Sequence, residues 1–255
     1  YPDDSSTSYF MTEISKAISS ATKGNINVIC NTDLNGYDEL QFVKNKIIRL
    51  SNSKLSKDNL FSRVFRLSIH TVKLGWHTLF NIDAGSRLFT LTNPAILILV
   101  LGIIRKIKKF EYILLVYDVF PENLSPANIL KKGSIPYSFL KKIFDWAYCQ
   151  TDHLVVIGRD MQHLVVEKTG NSIPMSLITN WCDIDKITFQ PKNENQIIKQ
   201  FNLEEKTVFS VVGNLGRVQG IDFLLDIASM VKSPKFVLLF IGDGSLLPKI
   251  KKYIN

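Results

Sequence analysis

The stretch Phe209-Ser-Val-Val-Gly-Asn-Leu-Gly-Arg-Val-Gln-Gly-Ile-Asp-Phe-Leu-Leu-Asp226 decides how this chain folds. An apolar run from Phe209 to Val212 stops at Gly213. The loop that follows carries Gly213, Gly216 and Gly220, together with one cation, Arg217. From Ile221 the apolar residues take helical spacing. The order is strand, glycine loop, helix start. Glycines let a ligand come close to the backbone, and the free N–H groups at a helix start favour an anion. A second turn of this kind follows Lys235-Phe-Val-Leu-Leu-Phe-Ile241, where Gly242-Asp-Gly244 closes another buried strand. Two such turns on neighbouring parallel strands predict a nucleotide site at the carboxyl edge of a sheet.

Bulk properties limit the alternatives. A chain of 255 residues is long enough for one large or two small domains. It is 45% hydrophobic and 21% charged, which excludes a disordered polypeptide. A net charge of +8 and a pI near 9.3 favour anionic partners: phosphates, nucleic acid or an acidic membrane surface. Cys30, Cys149 and Cys182 are scattered and odd in number, so neither a disulfide framework nor a zinc spacing is visible, and a reducing compartment is expected. The chain opens at Tyr1-Pro-Asp-Asp without a methionine and closes at Lys251-Lys-Tyr-Ile-Asn255 within a helical pattern, so both ends read as cut.

Strands and helices alternate along the chain. Ser5 to Ala21 has helical spacing, stopped by Gly24-Asn25; Asn27 to Cys30 and Lys46 to Leu50 read as strands. A long helix is expected from about Asp58 to Phe80, a strand over Arg87–Leu91, and an apolar helix from Asn93-Pro94 to Lys109. Tyr112 to Asp118 is a strongly apolar strand, Tyr137 to Tyr148 a helix, His153 to Ile157 a strand, Arg159 to Lys168 a helix and Met175 to Thr179 a strand. Strands that are apolar throughout, alternating with helices, predict a parallel sheet covered on both faces, hence an α/β fold. The polar stretch 185–206 reads as a linker with a short helix near Gln196 to Phe201. The expected organisation is a first Rossmann-like domain over 1–184, the linker, and the start of a second such domain over 207–255.

Pro94-Ala-Ile-Leu-Ile-Leu-Val-Leu-Gly-Ile-Ile104 is too short to span a bilayer, which takes about 20 apolar residues. It reads as a buried helix of the sheet's outer layer. The competing reading is a membrane-facing helix edged by Arg105-Lys-Ile-Lys-Lys109, meeting anionic lipid.

Four motifs in register, Tyr117-Asp-Val-Phe-Pro-Glu122, Ile178-Thr-Asn-Trp-Cys-Asp183, Gly213-Asn-Leu-Gly-Arg-Val-Gln-Gly220 and Phe240-Ile-Gly-Asp-Gly244, resemble a bacterial family 4 glycosyltransferase of the fucosamine-transferase-like, surface-polysaccharide branch. Thr92-Asn-Pro94 and Tyr1-Pro-Asp3 resemble the same branch. The resemblance implies a GT-B fold of two Rossmann-like domains, the second truncated here and the first lacking its opening strand. It implies transfer of a sugar, with retention of configuration, from a nucleotide-sugar donor to a polyprenyl-diphosphate-linked or other saccharide acceptor. It further implies a cytoplasmic enzyme peripheral to the inner face of the membrane and acting without a metal. A chain ending at Asn255 would lack a later acidic motif of the family and is expected to be inactive alone.

A nucleoside diphosphate leaving group gathers negative charge on its β-phosphate, and without a metal, backbone N–H groups and cations must hold that charge. Gly213, Asn214 and Gly216 give backbone access, Arg217 a planar cation that grips phosphate oxygens in pairs, and Gln219 an amide donor near the helix start. Many relatives carry Arg and Lys where this chain has Asn214 and Gln219. Gly242, Asp243 and Gly244 complete the donor side; Asp243 reads either as a contact to base or ribose or as ordinary turn chemistry. Asp118, at the carboxyl end of the most apolar strand, reads as the catalytic or acceptor-orienting carboxylate, against the alternative of a turn aspartate. His70, His77, His153 and His163 show no metal-ligand spacing. Two other classes compete: another sugar-nucleotide enzyme on the same fold, such as a UDP-sugar 2-epimerase, and a non-catalytic anion-binding protein. Nucleic acid is not expected, because most aromatics fall on buried-looking faces.

Overall fold

The computed structural model describes residues 6–22, 26–32, 46–51, 60–216 and 218–254. The expected helix start at Ser5, its stop at Gly24-Asn25, the residues from Asp58 to 59, Tyr1-Pro-Asp3 and Arg217 lie outside them. The chain divides into two units, one of residues 1–123 and 131–180, the other of residues 124–130 and 181–255.

In the first unit the elements run α1 (Ser6–Thr22), β1 (Val28–Thr32), β2 (Ile47–Ser51), α2 (Leu60–Asn81), β3 (Arg87–Leu91), α3 (Ala95–Ile107), β4 (Glu111–Val116), α4 (Ile135–Tyr148), β5 (His153–Val156), α5 (Arg159–Thr169) and β6 (Met175–Leu177). All strand pairings are parallel, as the continuous apolar strands require. The strands form two ladders: β1 pairs with β2, and β3-β4-β5-β6 make a four-stranded sheet. Among the described residues no strand joins one ladder to the other.

The core sits around β4. Tyr112, Leu114 and Val116 alternate onto one face of the strand and are fully buried in a core that includes Ile98 of α3 and Phe144 and Tyr148 of α4. Against it α3 places Leu97, Ile98, Leu101 and Ile104, a stripe at helical spacing. Five of the thirteen residues of α3 are buried, and among the described residues no helix is long and apolar enough to cross a membrane. The segment after Pro94 is therefore packed along one side, as the first of its two readings has it, and leaves Ile103 and Ile107 exposed on another. Deleting Ile98 to alanine removes a side chain of the kind whose burial is worth about 1.5–3 kcal/mol. Gly75 lets α2 seat on α3: a β-carbon there would stand 2.5 Å from the Val100 side chain.

Arg105 locks the end of α3 to the sheet. Its Nε donates to the Gln150 carbonyl at 2.9 Å and its Nη1 to the Phe110 carbonyl at 2.5 Å, while Nη2 pairs with Asp152. The second Asp152 oxygen accepts the Tyr112 amide at 2.7 Å, so one ion pair fixes the register of β4 against the start of β5.

One boundary differs from the sequence reading in a way that matters. The fourth strand ends at Val116, not Asp118. The Tyr117 and Asp118 amides leave the ladder and donate instead to the Thr92 hydroxyl, at 3.1 and 3.0 Å.

The second unit carries α6 (Gln196–Gln200), β7 (Thr207–Val212), α7 (Ile221–Met230), β8 (Phe236–Ile241) and α8 (Leu247–Ile254), with β7 and β8 paired in parallel. Leu215, Ile221, Leu225 and Ile250 form its core with Val211 and Phe240 of one sheet face. On the opposite face Ser210 and Val212 are exposed.

Behind the loop after β4 lies a four-charge cluster. The Lys168 ammonium, with no side-chain exposure, sits 2.9 Å from Glu122 and 2.7 Å from Asp145. Lys141 pairs with the same two carboxylates at 3.4 and 2.9 Å but keeps 35% side-chain exposure. Removing a buried partner leaves uncompensated charge, so Lys168→Met is expected to cost about 3–5 kcal/mol in urea unfolding, whereas Lys141→Met, at a solvated site, costs at most about 1 kcal/mol. Equal losses would show that burial of Lys168 is not what sets its contribution.

Candidate functional site

Two sheet edges hold the residues singled out in the sequence, one in each unit. In the second unit the two glycine turns meet backbone to backbone. Gly242 has φ +149°, and a β-carbon on it would stand 1.9 Å from the Gly213 carbonyl oxygen. A β-carbon on Gly244 would stand 2.5 Å from the Leu215 backbone. No other residue type fits at such approach. Hydrogen bonds close the contact: Gly213 N–H donates to Ile241 O at 2.9 Å, Leu215 N–H to Asp243 O at 2.8 Å, and Leu246 N–H back to Leu215 O at 2.9 Å. Between them the buried Leu215 side chain anchors the first loop to the core.

This interlock brings Gly213, Asn214, Gly216, Gln219, Gly242, Asp243 and Gly244 together. Asn214 and Gln219 flank Gly216, with Asn214 Nδ2 and Gln219 Oε1 at 3.0 and 2.9 Å from where its β-carbon would be. Gly220, in the left-handed region at φ +65°, turns the chain into α7. The first helical hydrogen bond is Leu224 N–H to Gly220 O, so the amides of Ile221, Asp222 and Phe223 precede the helical ladder. Asp222 in this first turn is paired with Lys249 of α8 at 2.7 Å. Asp243 accepts the Gly244 N–H at 2.7 Å through Oδ1, the turn chemistry that was one of its two readings.

In the first unit the carboxyl edge of the sheet presents Asp118, exposed, two residues past β4. Its backbone is held from both sides. Thr92, fully buried at the end of β3, accepts its N–H. Tyr148, fully buried at the end of α4, donates its hydroxyl to the Asp118 carbonyl at 3.2 Å. Burial pushes the Tyr148 phenol well above the usual tyrosine range, against a smaller opposing effect of a hydrogen bond from the Phe120 backbone, so it stays a neutral donor. Lys168 lies 5.4 Å from the centre of the Tyr148 ring. Glu122 is engaged by Lys168 and Lys141 and so belongs to the packed support of this edge.

Thr92 entered the sequence reading only within the motif Thr92-Asn-Pro94, without a role, and Tyr148 only as the end of a helix. Their contacts to Asp118 span 26 and 30 residues, and a threonine at a strand end or a tyrosine closing a helix carries no local signal. Among the described residues no three His, Cys, Asp or Glu side chains converge to hold a metal ion. His153 is engaged with the Ser176 hydroxyl at 2.9 Å.

No family model matches the chain. It is similar to a probable glycosyltransferase, WbjE, of Pseudomonas aeruginosa, with 38% identity over 202 residues, 78% of this chain and 50% of the relative. The chain thus spans about half the length of that curated relative. Among solved structures it is similar to Anabaena Alr3699/HepE in complex with UDP, and to the same protein in complex with UDP-glucose, each with TM-score 0.65, 13% identity, and coverage of 100% of this chain and 63% of that one. The shared fold is the GT-B type, here with the second Rossmann-like sheet represented by two strands.

Because a β-carbon at position 242 collides with main chain, Gly242→Ala is expected to destabilise the second unit by about 2 kcal/mol or more. At Gly216 the neighbours are the ends of two flexible side chains, and Gly216→Ala should cost about 1 kcal/mol or less. Hydrogen exchange of β7 and β8 amides in the two variants checks this; equal protection would mean the interlock is not what holds the loops.

Proposed function

With 38% identity placing this chain in the family of a probable glycosyltransferase, we propose that the protein transfers a sugar from a nucleotide-sugar donor to a lipid-linked or other saccharide acceptor of cell-surface polysaccharide synthesis, with retention of anomeric configuration. One observation carries the donor half of this reading. Two glycine turns interlock in front of a helix N-terminus, leaving main-chain N–H groups of α7 ahead of the helical ladder. UDP and UDP-glucose in the complexes of the structurally similar protein support a nucleoside diphosphate as the group held there.

The chemistry follows from charge. As the bond between the anomeric carbon and the β-phosphate oxygen breaks, negative charge grows on the leaving diphosphate. Amides and a helix N-terminus already aimed at that position need no reorganisation to stabilise it. Asn214 and Gln219 add neutral donors beside Gly216, and Arg217 adds the cation that they lack. Gly242 and Gly244 act by letting the second turn approach the first, and Asp243 by closing that turn. Asp118 orients the acceptor hydroxyl by accepting its hydrogen bond and takes up its proton as the oxygen bonds to the anomeric carbon on the face from which the diphosphate departs. No residue of the set is assigned to a metal.

The enzyme is further proposed to act at an anionic membrane surface. The support is a stripe on α2, Val72, Trp76 and Phe80, each at least 60% exposed, at i, i+4, i+8 spacing. On the neighbouring helix α3, Ile103 and Ile107 are exposed, with the exposed Lys106 and Lys109 beside them.

Arg217→Ala, in the enzyme as its gene encodes it, should weaken UDP binding by about 10–100-fold, the effect of one charge-assisted contact, while uridine binding stays unchanged. Calorimetric titration reads both; unchanged UDP affinity removes Arg217 from the site. Sugar transfer from a panel of UDP-sugars to a polyprenyl-diphosphate saccharide tests the activity itself, and donor hydrolysis or epimer formation without transfer would refute it. Trp76→Ser combined with Phe80→Ser should lower co-sedimentation with phosphatidylglycerol vesicles by about tenfold, as expected for lost apolar burial at the interface. An unchanged bound fraction would move the contact elsewhere.

A further inference from the structure

We infer that Thr92 and Tyr148 are positioning residues for the Asp118 carboxylate, acting through the Asp118 backbone rather than on substrate; this rests on the reading of Asp118 as the acceptor-orienting group. The observation is a two-sided clamp. The Thr92 hydroxyl accepts the Asp118 N–H at 3.0 Å and the Tyr117 N–H at 3.1 Å. The Tyr148 hydroxyl donates to the Asp118 carbonyl at 3.2 Å. Both side chains are 0% exposed, whereas Asp118 itself is exposed.

A residue just past a parallel strand normally has its amide in the ladder or in its own turn. Here β4 stops early, at Val116, and the two amides that would have continued it are turned to one side chain, that of Thr92 just past β3. The other peptide group is gripped by α4. Each clamping side chain is itself fixed. Thr92 donates its own N–H to Leu115 O at 3.2 Å, so its backbone is tied to β4. Tyr148 lies beneath the ammonium of Lys168, which is held by Glu122 and Asp145. With N–H and C=O both fixed, the direction of the Asp118 Cα–Cβ bond is set by packed elements, while among the described residues its carboxylate makes no hydrogen bond that would compete with a substrate hydroxyl. A turn aspartate serving only structure would use its carboxylate on a nearby amide, as Asp243 does. Such preorganisation matters because an acceptor oxygen misplaced by about 1 Å loses orders of magnitude in rate.

The test is a mutant cycle in the enzyme as its gene encodes it, using the sugar-transfer assay. Thr92→Val removes the acceptor and keeps the shape; Thr92→Ser keeps the hydroxyl. Tyr148→Phe removes one hydroxyl and keeps the ring under Lys168, which makes it the variant of choice if Thr92→Val fails to fold by circular dichroism. Thr92→Val and Tyr148→Phe should each lower kcat about tenfold or more with donor KM within about twofold, Thr92→Ser should stay within about threefold of the parent, and in an Asp118→Asn background the same changes should alter the residual rate by less than about twofold. If the Asp118→Asn rate is undetectable, the contrast in kcat between Thr92→Val and Thr92→Ser decides. An unaltered kcat in folded Thr92→Val and Tyr148→Phe, or losses that multiply fully with Asp118→Asn, overturns the positioning role alone. Full activity of Asp118→Asn overturns the Asp118 reading and the positioning role together.

Discussion

Main chain pressed on main chain at Gly242 and Gly213 is the contact that the second unit depends on. The 1.9 Å between the Gly213 oxygen and a β-carbon that Gly242 does not have means the two turns occupy space that side chains would otherwise fill. That approach lets Leu215 and Asp243 exchange a backbone hydrogen bond, and lets Leu246 return one to Leu215. With the loops fixed this way, α7 starts from Gly220 with its first-turn amides ahead of the helical hydrogen-bond ladder. A flexible glycine loop would have to be ordered by its ligand at an entropic cost; a loop already pinned by its neighbour does not.

The first unit solves a different problem with different means. Its edge presents one exposed carboxylate, Asp118, two residues past β4. Glycine is absent from the segment 117–122, and the segment is held by side chains: Thr92 from just past β3, Tyr148 from α4, and Lys168 from α5 through Glu122. The cluster of Glu122, Asp145, Lys141 and Lys168 is costly to desolvate, and its pairing is what makes it tolerable. Its location behind the Asp118 loop links that cost to the precision of one edge.

Much of this was legible in the sequence. Every strand and helix expected from apolar runs and helical spacing is present within a few residues, because short apolar runs and helical periodicity are local signals that survive without knowledge of the partners. The glycine turns were legible for a related reason: Gly213 and Gly242 each follow six-residue strands without a break, and only a turn can follow there. The end of β4 was not legible. Tyr117 continues the apolar run, and what stops the strand is a hydroxyl 26 residues away. The separation of β1 and β2 from the four-stranded sheet was hidden as well, since pairing is a long-range choice that strand composition does not encode. Of the candidate site, Gly213, Asn214, Gly216, Gln219, Gly242, Asp243 and Gly244 converge on one edge, and Asp118 stands on the edge of the other sheet.

The central claim is that main-chain amides of the interlocked loops receive a diphosphate. Hydrogen–deuterium exchange of the enzyme with and without saturating UDP reads those amides directly. Slowed exchange confined to peptides covering 213–223 and 242–246, and absent when uridine replaces UDP, is the result this account predicts. UDP binding that leaves both peptides exchanging at their free rate, with protection appearing elsewhere, would contradict it.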